Sequence, residues 1–99
     1  MGEEVKRTAY RKKAEARVEE QKARLDQARA RMKRHAAEGQ IEAVSQLETL
    51  EKKLEEAKKR LERLAEAGED AWDEAKEGFE KQWDELSSSV KGFFSKLTG

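Results

Sequence analysis

Neither cysteine nor proline occurs in this chain of 99 residues, which carries one histidine and six aromatic side chains. Without cysteine there can be no disulfide and no thiolate metal site. Without proline, nothing in the sequence forces a helix to break. No apolar run of about 18 residues is present to cross a bilayer, and the opening Met1-Gly2-Glu3-Glu4 lacks the apolar segment of a secretion signal. The expected compartment is cytoplasmic. Glycine-rich phosphate loops, nucleophile elbows and histidine-rich metal spacings are also missing, and His35 has no second imidazole or thiolate with which to share a metal. It reads as a polar residue of the seam or surface near a helix end, where a cationic form suits the macrodipole. No catalytic, cofactor or metal residue and no small-molecule substrate is expected, because a narrow helical rod offers no concave, water-excluding pocket. The chain reads as not an enzyme.

What is present is charge. Lys, Arg, Asp and Glu make up 44% of the residues, the composition of long exposed helices. Outside alanine, about twenty side chains could fill a core, against a backbone ordering cost of roughly 1 to 2 kcal/mol per residue. Self-association is the expected remedy, giving a homo-oligomer. The 22 basic and 22 acidic groups are unevenly placed: residues 1–40 hold 12 basic and 7 acidic groups, residues 41–99 hold 10 and 15. That polarity favours antiparallel pairing of the two parts, although screened surface attraction selects orientation more than it stabilises.

Strong helix formers fill the stretch from Glu3 to Glu38. Val18, Leu25 and Met32 recur every seven residues there, flanked by Ala14, Ala28 and the polar Gln21 and His35, a narrow coiled-coil seam. Gly39, shortly after the basic Arg31, Lys33 and Arg34, predicts a tight turn. No Ser, Thr, Asp or Asn stands at 39–42 to cap a following helix, so a continuous helix with one glycine is the alternative. Beyond it, Leu47, Leu50, Leu54, Ala57, Leu61 and Leu64 step by three and four, a coiled-coil seam among solvated charges, including the favourable pairs Glu48 with Lys52 and Glu55 with Lys59.

Gly68 interrupts that pattern, and Asp70 is placed to cap a helix beginning near Ala71. Trp72, Phe79, Trp83, Leu86, Val90, Phe93, Phe94 and Leu97 then fall within a stripe about 100° wide. Gly78, Gly92 and serines 87–89 weaken the propensity of this segment, so covering the stripe is expected to order it. It is the candidate association surface, and contact with another subunit is the preferred reading.

Three other features have bland explanations. The carboxylates between Glu69 and Glu85 centre opposite the aromatic stripe and lack a calcium loop, so they read as a solvated acidic face. The basic residues Lys6, Arg7, Arg11, Lys12, Lys13 and Arg17, with the later Arg29, Arg31, Lys33 and Arg34, raise phosphate binding, but interleaved acids, overall neutrality and Tyr10 as the lone nearby aromatic argue against nucleic acid. A peripheral membrane or lipid-binding role for the last helix is the competing function: Trp and Phe on an amphipathic helix suit an interface, while its acidic polar face does not.

The segments Ala9-Tyr10-Arg11-Lys12-Lys13-Ala14-Glu15-Ala16 and Glu69-Asp70-Ala71-Trp72-Asp73-Glu74-Ala75-Lys76-Glu77-Gly78-Phe79-Glu80-Lys81-Gln82-Trp83-Asp84-Glu85-Leu86 resemble a family of small bacterial coiled-coil proteins, best known in cyanobacteria and described as stress-response proteins. The resemblance spans nearly the whole chain, with the second segment the distinctive one. It implies a soluble, stress-linked protein and brings no catalytic residues with it. The chain departs from it at Gly68, where a capping Ser is expected, and at Phe93 and Phe94, where smaller residues are.

The expected architecture is a single all-α domain: helices at about 3–37, 41–67 and 70–97, the first two forming a long antiparallel hairpin or coiled coil, the third an amphipathic segment of an elongated bundle. The last two fused into one rod is the variant.

Overall fold

A computed structural model describes residues 2–34 and 40–98, with side chains described over 4–33 and 42–96. Three helices account for nearly all of it: α1 (Gly2–Arg34), α2 (Gln40–Glu66) and α3 (Trp72–Thr98). No strand occurs among the described residues. The all-α bundle is elongated, 55 × 19 × 17 Å.

The helix α2 is the middle of the bundle. Its backbone lies close to both α1 and α3, whereas α1 and α3 hardly approach each other. The α1–α2 register is marked by Arg29, whose guanidinium donates to both carboxylate oxygens of Glu51, 3.2 Å from Nε to Oε2. That hydrogen bond, ahead of the Glu51 charge, pushes the Arg29 pKa up. Between α2 and α3, Lys53 Nζ donates to Ser89 Oγ at 3.4 Å and Gln82 Nε2 to Glu56 Oε2 at 3.3 Å. Both pairings run antiparallel.

One apolar core runs along the axis. From α1 it takes Ala14, Val18, Leu25, Ala28 and Met32; from α2, Leu47, Leu50, Leu54, Ala57, Leu61 and Leu64; from α3, Phe79, Leu86, Val90 and Phe93. The seven-residue spacing of α1 and the three-four steps of α2 thus face inward as the sequence predicts. Gln21 joins them, 8% exposed.

Within the single chain α3 folds back on α2 as a third helix of the bundle, the alternative to the preferred reach to another subunit. The narrow seam of α1 need not cover it, because α2 offers a face wide enough for two neighbours, with Ala43, Val44, Glu51 and Lys53 partly buried beside the leucines. Fully burying Phe79, Leu86, Val90 and Phe93 contributes roughly 1.5–3 kcal/mol each. The glycines Gly78 and Gly92 cost about 1 kcal/mol each in helix propensity. Packing therefore outweighs propensity, and α3 is helical throughout.

Helix ends differ from expectation by a residue or two. The α2 helix runs one residue earlier at both ends, and α3 begins at Trp72. Asp70 is not the cap. The Ala71 N–H donates to the Gly68 carbonyl at 3.1 Å, and the Ala71 carbonyl accepts the first helical bond, from Ala75 at 3.1 Å. That puts Ala71 at the capping position, where it has no side-chain oxygen to offer. The predicted turn at Gly39, His35 and the end of helix 1 at 37 lie outside the described residues.

Candidate functional site

The two flanks of α3 have different neighbours. One carries Gln82 and Ser89, which meet α2. The other carries Trp72, Lys76, Glu80, Trp83, Ser87 and Phe94 on one face by the 3.6-residue period, and its first turns meet α1 through Trp72, Lys76 and Glu80.

Three aromatics line that flank at intervals of eleven residues: Trp72, Trp83 and Phe94. Eleven residues are about three helical turns, so the rings lie nearly in a row, successive ones about 16 Å apart along the axis. Each is partly buried rather than enclosed. Each also rests on a second aromatic. Trp72 meets Tyr10 edge to face with centroids 6.0 Å apart; Trp83 stacks on buried Phe79 at 6.0 Å; Phe94 meets buried Phe93 edge to face at 5.7 Å. Such pairs hold ring orientation as well as burying area. The result is a row of three oriented aromatic rings, each packed against the core.

The row is most elaborate where α1 begins. Tyr10 Oη donates to Glu80 Oε1 at 2.9 Å, Lys76 Nζ sits 4.8 Å from the Tyr10 ring centroid, and the Arg7 guanidinium lies 5.8 Å from that of Trp72. Burial, then the hydrogen bond to Glu80, pushes the Tyr10 pKa well up. An open cleft between Lys6, Arg7 and Tyr10 on one side and Glu69, Trp72 and Asp73 on the other marks this end. Of the predicted basic cluster, Arg7, Arg11, Arg17 and Arg29 are partly buried, whereas Lys6, Lys12, Lys13, Arg31 and Lys33 are exposed. Further along the same side of α1, the Gln21 Oε1 is buried and makes no hydrogen bond, as is true of Arg11 Nε.

The predicted association stripe therefore divides. Phe79, Leu86, Val90 and Phe93 are internal, with Phe79 and Leu86 fully buried. Trp72, Trp83 and Phe94 remain at the surface, and the Leu97 side chain lies outside the described ones. The seam residues Leu47, Leu50, Leu54, Leu61 and Leu64 are all buried. Between Glu69 and Glu85 every carboxylate is exposed, as expected of a solvated face. Among the described residues no group of three or more His, Asp or Glu side chains could hold a metal ion, and no helix is long and apolar enough to cross a membrane.

Neither family models, curated proteins nor solved structures give a match. Gln21 is buried in the α1 seam where the sequence places it, and Tyr10, which the recurrence of Val18, Leu25 and Met32 does not include, packs against the same core. Tyr10 carried a usable signal, standing four residues before Ala14 on the α1 seam.

Proposed function

We propose that this chain is a non-catalytic interaction protein that self-assembles through the aromatic row Trp72, Trp83 and Phe94. The observation that carries this reading is the backing of each surface ring by another aromatic, which fixes a contact surface that burial alone would not require. Rigid aromatic side chains are the usual anchors of protein interfaces.

The occupant is a second copy. Because the row is spaced evenly about Trp83, a two-fold axis there sets Trp83 against its mate and Trp72 against Phe94 of the other chain, with the two α3 helices antiparallel. Charge supports the same orientation. Residues 69–85 carry eight acidic and two basic groups, while residues 86–99 carry Lys91 and Lys96 and no acid. Antiparallel pairing places the lysine end of each α3 at the axial level of the other's acidic end, a screened preference because these charges lie off the aromatic row, and a two-fold contact is the commonest form of self-association. A role under stress is what the family resemblance suggests.

Sedimentation across a concentration series tests the reading. The wild-type chain should show a reversible dimer, and Trp83→Lys should sediment as a monomer of unchanged helix content. A wild-type chain that stays monomeric at every concentration would remove the proposal. The same Trp residues also fit the membrane reading, which predicts a blue shift of their fluorescence on anionic vesicles; a monomer showing that shift would favour it.

A further inference from the structure

The joint between α2 and α3 is weakly built. Only residues 67–71 are non-helical, and they read Ala-Gly-Glu-Asp-Ala, with no proline. Half-helical bonds already cross this stretch: the Ala67 N–H donates to the Leu64 carbonyl at 3.3 Å and the Ala71 N–H to that of Gly68 at 3.1 Å. Ala71 cannot cap α3, and the Asp70 side chain makes no hydrogen bond. Gly68 does not use a left-handed conformation, and a Cβ placed on it would meet nothing within 4 Å. The interhelical space beside the joint is bounded by Ala67, Ala71, Ala75 and Gly78, with Arg60 and Arg63. Glu66 and Glu74 complete its lining, so small and charged side chains border the joint.

The apolar faces on either side are also in phase. At about 100° per residue, the mean direction of Leu47, Leu50, Leu54, Ala57, Leu61 and Leu64 agrees with that of Phe79, Leu86, Val90 and Phe93 to within about 10° when the helix is continued through the joint. A single continuous helix from Gln40 to Thr98 would carry one unbroken apolar stripe. Two such rods, antiparallel about an axis at residue 70, pair each α2 with the α3 of the other chain. The register is the one the hairpin already has: Glu56 faces Gln82 and Lys53 faces Ser89, positions placed about equally before and after residue 70.

We propose that a second copy of this chain is accepted by exchange of α3, the 67–71 joint straightening so that α3 packs on the α2 of its partner. Every buried contact of the hairpin is reused, and the balance between the two forms is set by the joint. This goes beyond association through the aromatic row, which stays on the outer flank of α3 in either form.

The test exploits the absence of cysteine. A Glu56→Cys, Gln82→Cys chain is unfolded, refolded at micromolar or millimolar concentration, joined with a short bis-maleimide and separated under denaturing conditions. A hairpin gives a cross-linked single chain; exchange gives a cross-linked pair. Association through the aromatic row without exchange still gives single chains, so the two readings fail separately. The pair should appear at millimolar concentration. Gly68→Ala, which favours a continuous helix about fivefold per chain, should raise the dimerisation constant roughly 10- to 30-fold. Ala71→Ser, which supplies the missing cap to the hairpin, should lower it several-fold. Single chains alone from Gly68→Ala at millimolar concentration would overturn the proposal, as would an increase in pairs with Ala71→Ser.

Discussion

The phenol of Tyr10 donates a 2.9 Å hydrogen bond to the Glu80 carboxylate, tying the first helix to the last across 70 residues of sequence. Away from the end that Arg7, Tyr10, Trp72, Lys76 and Glu80 share, α1 and α3 lie against α2 rather than each other. This contact holds together the end of the bundle at which the aromatic row begins.

The Tyr10 titration should report it. Burial and then Glu80 raise the phenol pKa, so the folded chain favours the neutral form. That contribution is complete below the ordinary tyrosine value of about 10, and it is lost as pH rises through the raised folded value. Tyr10 is the sole tyrosine, so alkaline difference absorbance follows it alone. It should ionise above free tyrosine, and Glu80→Gln should lower the value part of the way, burial supplying the remainder. Ionisation of the folded wild-type chain at the ordinary value would contradict the contact.

Gln21→Leu should stabilise the monomeric bundle. A buried carbonyl oxygen without a hydrogen bond costs about 1–3 kcal/mol, and leucine fills a comparable volume. Urea unfolding should show a higher midpoint, with the unfolding free energy raised by about 1–2 kcal/mol. A lower midpoint would mean that the amide is satisfied in solution by a partner worth more than the leucine.

Phe79→Ala should be the most damaging single truncation in α3. The ring is fully buried and also supports Trp83, so about 3–5 kcal/mol should be lost. The same truncation at partly buried Phe94 should cost well under half as much. Equal losses at the two positions would mean that α3 is not seated on α2 as described.

Periodicity made much of this fold legible. The seven-residue recurrence of Val18, Leu25 and Met32 and the three-four steps from Leu47 to Leu64 named the inward faces of α1 and α2, because burial demands a repeat that backbone geometry fixes. The stripe of α3 was legible for the same reason. What covers it was not. A stripe gives the direction of an apolar face and no information about whether the opposing surface belongs to the same chain, and the width of the α2 face lies in partly buried side chains such as Lys53 and Glu51 that composition counts as polar. The division into inner Phe79 and outer Trp83, four residues apart, depends on how α1 and α2 are placed around α3, which no local pattern records. Asp70 looked like a cap because it has the right chemistry; the backbone turn at Gly68 put Ala71 in that place instead.

The central position of α2 also sets how the chain can fold. Each of its two interfaces is a hairpin that closes outward from its own turn, so most native contacts join segments near in sequence, the condition for folding in microseconds to milliseconds. Either hairpin can form first, and whichever does presents the second helix with a finished template. The last amides to exchange with solvent should then be those of α2 between Leu47 and Leu64, protected from both sides. The terminal turns of α1 and α3, each leaning on one neighbour, should exchange first.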